Sequence, residues 1–183
     1  QGGLRLTMQF DPADSVNRKP DALGFTKEQR EAVDGIIADP GGVVLLAAPP
    51  QNGRTTTLYT VTQMHDAYTS NVQTVEVEVM RELEGIRQIA FDPAGDEEYS
   101  KVVRSNLRRD PDVLSIAELP DAETAKEIAG ADLERSRVYV ALTTESAMNA
   151  VRMWVKAVGD PAVAAKGLRG VIAQKLMRQL CGN

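Results

Sequence analysis

The stretch Val43-Val44-Leu45-Leu46-Ala47-Ala48-Pro49-Pro50-Gln51-Asn52-Gly53-Arg54-Thr55-Thr56 decides the fold. An apolar run with no polar interruption marks a strand buried on both faces, as in a parallel sheet. Residues 48–53 form a loop rich in turn formers, and Arg54 opens a helix. Strand, tight turn and helix start suit a phosphate group. Backbone N–H groups at the helix start point outward, a lysine reaches the outer phosphates, and a Ser or Thr hydroxyl holds magnesium. The stretch departs from GxxxxGK[ST] at two fixed positions, because Ala48 replaces the first glycine and Arg54 replaces the lysine. Pro50 removes one N–H donor, while Asn52 tolerates positive φ and preserves the turn. Taken alone, the stretch reads better as an ordinary strand–loop–helix connection.

Outward from it, the same rhythm repeats. Upstream, residues 3–10 alternate apolar and polar as a strand does, 11–21 are a polar linker, and Thr26 caps a helix to about Ala38. Downstream, the patterns predict a helix over 54–68, strands over 72–79 and 86–90, and a helix over 96–109. A strand over 113–116, a helix over 120–131, a strand over 138–142 and a helix over 146–158 follow. A last helix is predicted over 164–180, with basic residues on its outer face. Alternating strands and helices define an α/β domain with a mainly parallel central sheet.

Composition limits the function. The chain has 183 residues, enough for one ordinary domain and a flank. Net charge is -5 and aromatics are 4%, the opposite of a basic, base-stacking nucleic-acid surface. No apolar run is long enough to span a bilayer, and no signal peptide opens the chain. The single cysteine, Cys181, forms no internal disulfide and suits a reducing compartment. The termini, Gln1-Gly2-Gly3 and Cys181-Gly182-Asn183, read as cuts in a longer protein.

Several blocks carry a resemblance. Leu23-Gly24-Phe25 and Thr55-Thr56-Thr57-Leu58-Tyr59 flank the loop, and Leu107-Arg108-Arg109-Asp110-Pro111-Asp112-Val113 leads into Ala117-Glu118-Leu119-Pro120-Asp121-Ala122-Glu123-Thr124-Ala125. Ile172-Ala173-Gln174-Lys175-Leu176-Met177-Arg178-Gln179-Leu180-Cys181 closes the chain. In order and spacing these blocks resemble the type II secretion and type IV pilus assembly ATPases. The resemblance implies a RecA-like three-layer domain over 23–183, with 1–22 as the end of a preceding N-terminal domain and linker. It also implies a hexameric ring, ATP with Mg2+ between subunits, and inner-membrane platform proteins as partners. The implied location is cytoplasmic, peripheral to the inner membrane, with no nucleic-acid partner and no membrane insertion.

Carried over residue by residue, Gln51, Asn52, Gly53, Arg54, Thr55 and Thr56 are the nucleotide-binding positions, and Thr55 holds Mg2+ through the nucleotide. Glu118 stands at the Walker B glutamate and Glu76 at the first glutamate of the Asp box. Both read as catalytic remnants of a site rather than solvated strand ends. Arg5 is the inter-subunit arginine candidate. Val77-Glu78-Val79-Met80 replaces the family's Asp-Pro-Ile-Glu, Pro120 an arginine, and Leu142-Thr143-Thr144-Glu145 its Leu-His-Thr-Asn. Cys181 matches the first zinc cysteine, with no second cysteine and so no zinc in this stretch. His65 reads as structural or exposed, Trp154 as helix packing, and Arg104, Arg108 and Arg109 as surface and interface charges. Arginine keeps lysine's charge but is planar and bulkier, so ATP hydrolysis is expected to be weak or absent. Two readings stay open: a motor-domain fragment, and a non-catalytic paralogue acting as scaffold or regulatory subunit.

Overall fold

The computed structural model describes residues 19–39 and 41–177. The strand expected at 3–10, most of the linker, Arg5 and Cys181 lie outside the described residues. A single turn of 3-10 helix at Pro20–Leu23 leads to α1 (Lys27–Ala38). Thr26 caps α1 as expected, and Gln29 returns the bond in a capping box.

Six strands form one sheet, and every pairing in it is parallel. They are β1 (Gly42–Ala48), β2 (Val72–Glu76), β3 (Arg87–Ala90), β4 (Val113–Ile116), β5 (Arg137–Thr143) and β6 (Leu168–Ala173). The order across the sheet is β3-β2-β4-β5-β1-β6. Parallel neighbours need crossovers; α2 (Arg54–Gln63), α3 (Tyr99–Leu107), α4 (Ala122–Gly130), α5 (Ala147–Val158) and α6 (Pro161–Lys166) lie in them, except between β2 and β3, where residues 77–86 cross without a helix.

The helices divide between the two faces. Val33 of α1 and Leu58 and Val61 of α2 pack with Val44, Leu46, Tyr139 and Ala141. Val102 and Val103 of α3, Ile128 of α4 and Trp154 of α5 pack with Val43, Leu45, Leu114 and Val140 on the other face. Just before β1, the chain passes so near the turn after α4 that a Cβ on Gly41 would lie 2.1 Å from the Leu133 carbonyl oxygen. Any side chain there forces the backbone apart.

Three expectations are corrected. The last helix, predicted over 164–180, is absent from the described part of that range except for the end of α6, which stops at Lys166. From Leu168 the chain becomes β6 and pairs with the free edge of β1. Two physical reasons combine: Gly167 and Gly170 are poor helix formers, and Val171 and Ile172 are β-branched. A buried β1 also needs a partner for its second row of backbone groups. In addition, α2 ends at Gln63 rather than Tyr68, because Asp66 turns the chain. Its carboxylate accepts from the Tyr68 N–H and the Thr69 hydroxyl, at 3.0 and 2.8 Å. Strand β2 likewise stops at Glu76, short of Val79.

Trp154 is 1% exposed, and its Nε1 donates to the Ala164 carbonyl at 3.1 Å, joining α5 to α6. Trp154→Ala is expected to cost about 3–5 kcal/mol in urea denaturation. Trp154→Phe is expected to cost less, since it keeps most of the apolar volume and loses the hydrogen bond.

Candidate functional site

Parallel sheets gather the carboxyl ends of their strands at one edge, where ligands bind. Register places Ala48 of β1 beside Thr143 of β5, Ile116 of β4 beside Val140, and Val75 of β2 beside Ile116. The loop after β1, Thr143, Glu118 and Glu76 therefore share that edge.

The second half of the loop is a glycine turn into a helix start. Gly53 has φ 78 and occupies the N-cap of α2, where no side chain caps the helix. The first-turn N–H groups of α2 have no helical acceptor, so this end suits an anion. Thr55 and Thr56 lie in that turn, half-buried. The first half differs. Pro49 and Pro50 carry no N–H, the Asn52 N–H turns back to the Pro49 carbonyl at 3.3 Å, and Gln51 is held at φ 58 without being glycine.

The Arg54 guanidinium donates to the Thr143 hydroxyl. This bond spans from the start of α2 to the end of β5. It occupies the side chain that opens α2. Glu118 is half-buried just beyond β4, and its Oε2 accepts from the Val77 N–H at 3.3 Å. Burial raises its carboxyl above the ordinary 4.5, against the opposing effects of the Val77 bond and Arg54, with Glu76 adding to the rise.

Glu76 is 1% exposed, so it is no solvated strand end. Its carboxyl accepts from the Tyr59 and Thr74 hydroxyls, both at 2.5 Å, and from Gln88 Nε2 at 3.1 Å. Gln88 in turn holds the loop after β2, donating to the Arg81 carbonyl at 2.9 Å and accepting from the Leu83 N–H at 2.7 Å. The structure thus brings Glu118, Arg54 and Thr143 to the loop, and sets Glu76 in a closed network beneath α2.

Other residues fall as the sequence suggested. His65 lies past the far end of α2, with Nε2 2.8 Å from the Tyr139 hydroxyl oxygen. Burial lowers its pKa to about 4, with the Arg137 charge adding, so it stays neutral. Arg104 pairs with Glu127, linking α3 to α4. Sequence reasoning missed Gln174, whose side chain reaches the loop apex, because its segment read as helix. It also missed Tyr59 as the partner of Glu76. A tyrosine in a threonine-rich helix was the available signal. A cleft of about 950 Å3 adjoins the loop, walled by Leu23, Phe25, Gly53, Thr56, Ile172 and Gln174. Glu118 is not among its walls.

Solved structures share this architecture. The pilus retraction motor PilT with bound ADP superposes with a TM-score of 0.76 at 20% identity, covering 91% of this chain and 50% of that one. The Legionella pneumophila ATPase DotB gives 0.71 at 22% identity, covering 87% and 46%. The fold is the RecA-like α/β domain. The Type II/IV secretion system protein family matches residues 2–183, and the chain belongs to that family. Among curated relatives, the type II secretion system protein HxcR of Pseudomonas aeruginosa is 36% identical over 98% of this chain and 38% of its own length. Type II secretion system protein E of Klebsiella pneumoniae is 35% identical over 98% and 36%. The type IV pilus assembly ATPase PilB of P. aeruginosa is 32% identical over 99% and 32%. The chain thus spans 32–38% of the length of these relatives.

The raised pKa of Glu118 has a consequence for stability. The folded state binds this proton more tightly than the unfolded chain, so stability falls as pH rises through the carboxyl's titration. Glu118→Gln removes that loss and keeps an acceptor for the Val77 N–H. Its melting temperature is expected to exceed wild type at pH 7 and to match it below 4.5, the ordinary carboxyl value. A pH-independent difference between the two proteins refutes this account.

Proposed function

We propose that this chain is the RecA-like part of a type II secretion or type IV pilus motor lineage whose loop binds nucleotide phosphate weakly and hydrolyses ATP slowly or not at all. The observation that carries this reading is the Arg54–Thr143 bond. Lysine is a compact point charge on a flexible stem, whereas a guanidinium presents a rigid planar fork. Here that fork is directed at a hydroxyl on β5. Phosphoryl transfer depends on positioned charge, and removing one positioned donor costs roughly 3 kcal/mol of transition-state stabilisation.

The residues fit a phosphate group better than its transfer. The uncapped start of α2 with Gly53 at φ 78 suits an anion, and Thr55 would hold Mg2+ through bound nucleotide. When bound, the Mg2+ nucleotide supplies the phosphoryl group and a metal to neutralise its charge. Gly53, Thr55 and Thr56 would hold the phosphates, and the cleft beside Gly53 and Thr56 has room for the nucleoside. Glu118, with its raised pKa, is the residue positioned to orient water. Glu76, fully engaged by Tyr59, Thr74 and Gln88, acts by holding β2 and the segment after it.

The same Arg54–Thr143 bond favours a second reading, a non-catalytic scaffold or regulatory subunit. In either case the family points to assembly as a hexameric ring on the cytoplasmic side of the inner membrane, docked on its platform proteins, with Arg5 as the arginine offered to a neighbouring subunit.

Calorimetry with MgATP on wild type and Arg54→Lys tests the proposal. The expected result is weak or no heat from wild type and a gain in affinity on the order of tenfold in Arg54→Lys. Brisk ATP hydrolysis by wild type overturns it.

A further inference from the structure

Among the described residues, strand β6 is an edge strand, bonded only to β1. Its ladder ends where the Gln174 N–H donates to the Ala47 carbonyl at 2.9 Å. The chain beyond is exposed, with Leu176 at 65% and Met177 at 88%. Yet this segment is fastened to the loop at three points. Gln174 Oε1 accepts from the Thr57 hydroxyl. Gln174 Nε2 donates to the Asn52 carbonyl at 2.7 Å. The Leu176 N–H donates to Asn52 Oδ1 at 2.9 Å. Asn52 is itself braced by its own Nδ2, which donates to the Pro50 carbonyl at 2.8 Å. A Cβ built on Gly53 would stand 3.1 Å from Gln174 Nε2, so the amide lies directly against the loop backbone.

Gln174 therefore bridges the helix that follows the loop and the peptide at the loop's apex. Its amide hydrogen-bonds to both. Asn52 completes the arrangement by gripping the backbone two residues further on. We propose that Gln174 is a positioning residue for this loop. With Asn52, it ties the loop's shape to the segment leaving β6, so that a change in either is felt by the other. The coupling rests on the phosphate-loop reading only in its last step, in which a nucleotide that reorients the Asn52 peptide shifts residues 174–177.

Amide hydrogen exchange on the full 183-residue chain, without nucleotide, tests the coupling. Gln174→Ala is expected to speed exchange in residues 51–53 on the order of tenfold, leaving the amides of β4 and β5 unchanged. Gln174→Glu keeps the acceptor for Thr57 and loses the donor to Asn52, so it is expected to free residues 51–53 as the alanine does. Asn52→Ala is expected to speed exchange at Leu176. Asn52→Asp, which keeps the acceptor, is expected to restore it. Should Gln174→Ala fail to fold, the two Asn52 variants decide the matter alone. Unchanged exchange at Leu176 in Asn52→Ala, or a uniform rise across the whole sheet in Gln174→Ala, overturns the proposal. No arm contains nucleotide, so the outcome is separate from that of the calorimetry.

Discussion

Everything in this fold depends on β1 being paired along both edges. A central parallel strand has two rows of backbone donors and acceptors, and burying either row without partners costs free energy comparable to lost hydrogen bonds. Strand β5 satisfies one row and β6 the other. The two come from sequence far downstream, so the carboxyl end of β1 is where three distant segments meet. The loop at that end is shaped by all three. Thr143 reaches it from β5, Gln174 from the end of β6, and its own helix continues from it.

The helix after the loop shows how polar residues are buried without penalty. Residues Thr57 to Thr62 of α2 are all buried, an unusual environment for three threonines. Their hydroxyls are satisfied locally and across the sheet. Thr62 donates to the Leu58 carbonyl and lies 2.6 Å from the Ser115 hydroxyl. Thr74, Ser115 and Tyr139 stand in register across β2, β4 and β5, making a polar row under α2. Tyr59 and Glu76 close the row at the site end, and His65 lies against Tyr139 at the other. Such a network fixes the angle of α2 more narrowly than apolar packing does, because each hydroxyl must meet one partner.

Much of this was legible in the sequence, and the failures have causes. Apolar runs such as Val43 to Ala47 announce buried parallel strands, and Thr26 announces a helix start, accepting a first-turn N–H as Asp121 and Ser146 also do in the structure. The strand Leu168–Ala173 was not legible as one. Its apolar residues also fit a helical stripe, and only the need of β1 for a second neighbour, a tertiary fact, selects the strand. The early end of α2 had a local signal, Asp66 as a turn former, which the helical pattern masked. At the site, the strand, turn and helix start around the loop were readable from its residues, and Glu118 was singled out only by the resemblance of its block. The roles of Gln174 and Tyr59 were not, because each acts through a hydrogen bond to a residue distant in the chain or on another element.

Arg54 and Thr143, which face the loop, make more sense together than apart. Arg54 alone would bring a bulky, permanently charged group to a site built around a strand end. Thr143 alone would leave a hydroxyl at the end of β5. In the structure each is the other's partner. The register of β1 on β5, which sets Ala48 beside Thr143 and lets the Thr144 N–H donate to the Ala48 carbonyl at 3.1 Å, makes the pairing possible. A loop braced internally on the β5 side by Arg54 and on the β6 side by Gln174 needs no bound anion to hold its shape. In a phosphate loop that relies on its ligand for order, binding energy is partly spent on fixing the backbone. Here the backbone is fixed in advance by side chains of the same domain. That separates the architecture of the loop from the chemistry such loops perform, and it lets this edge of the sheet keep its form whether or not a nucleotide arrives.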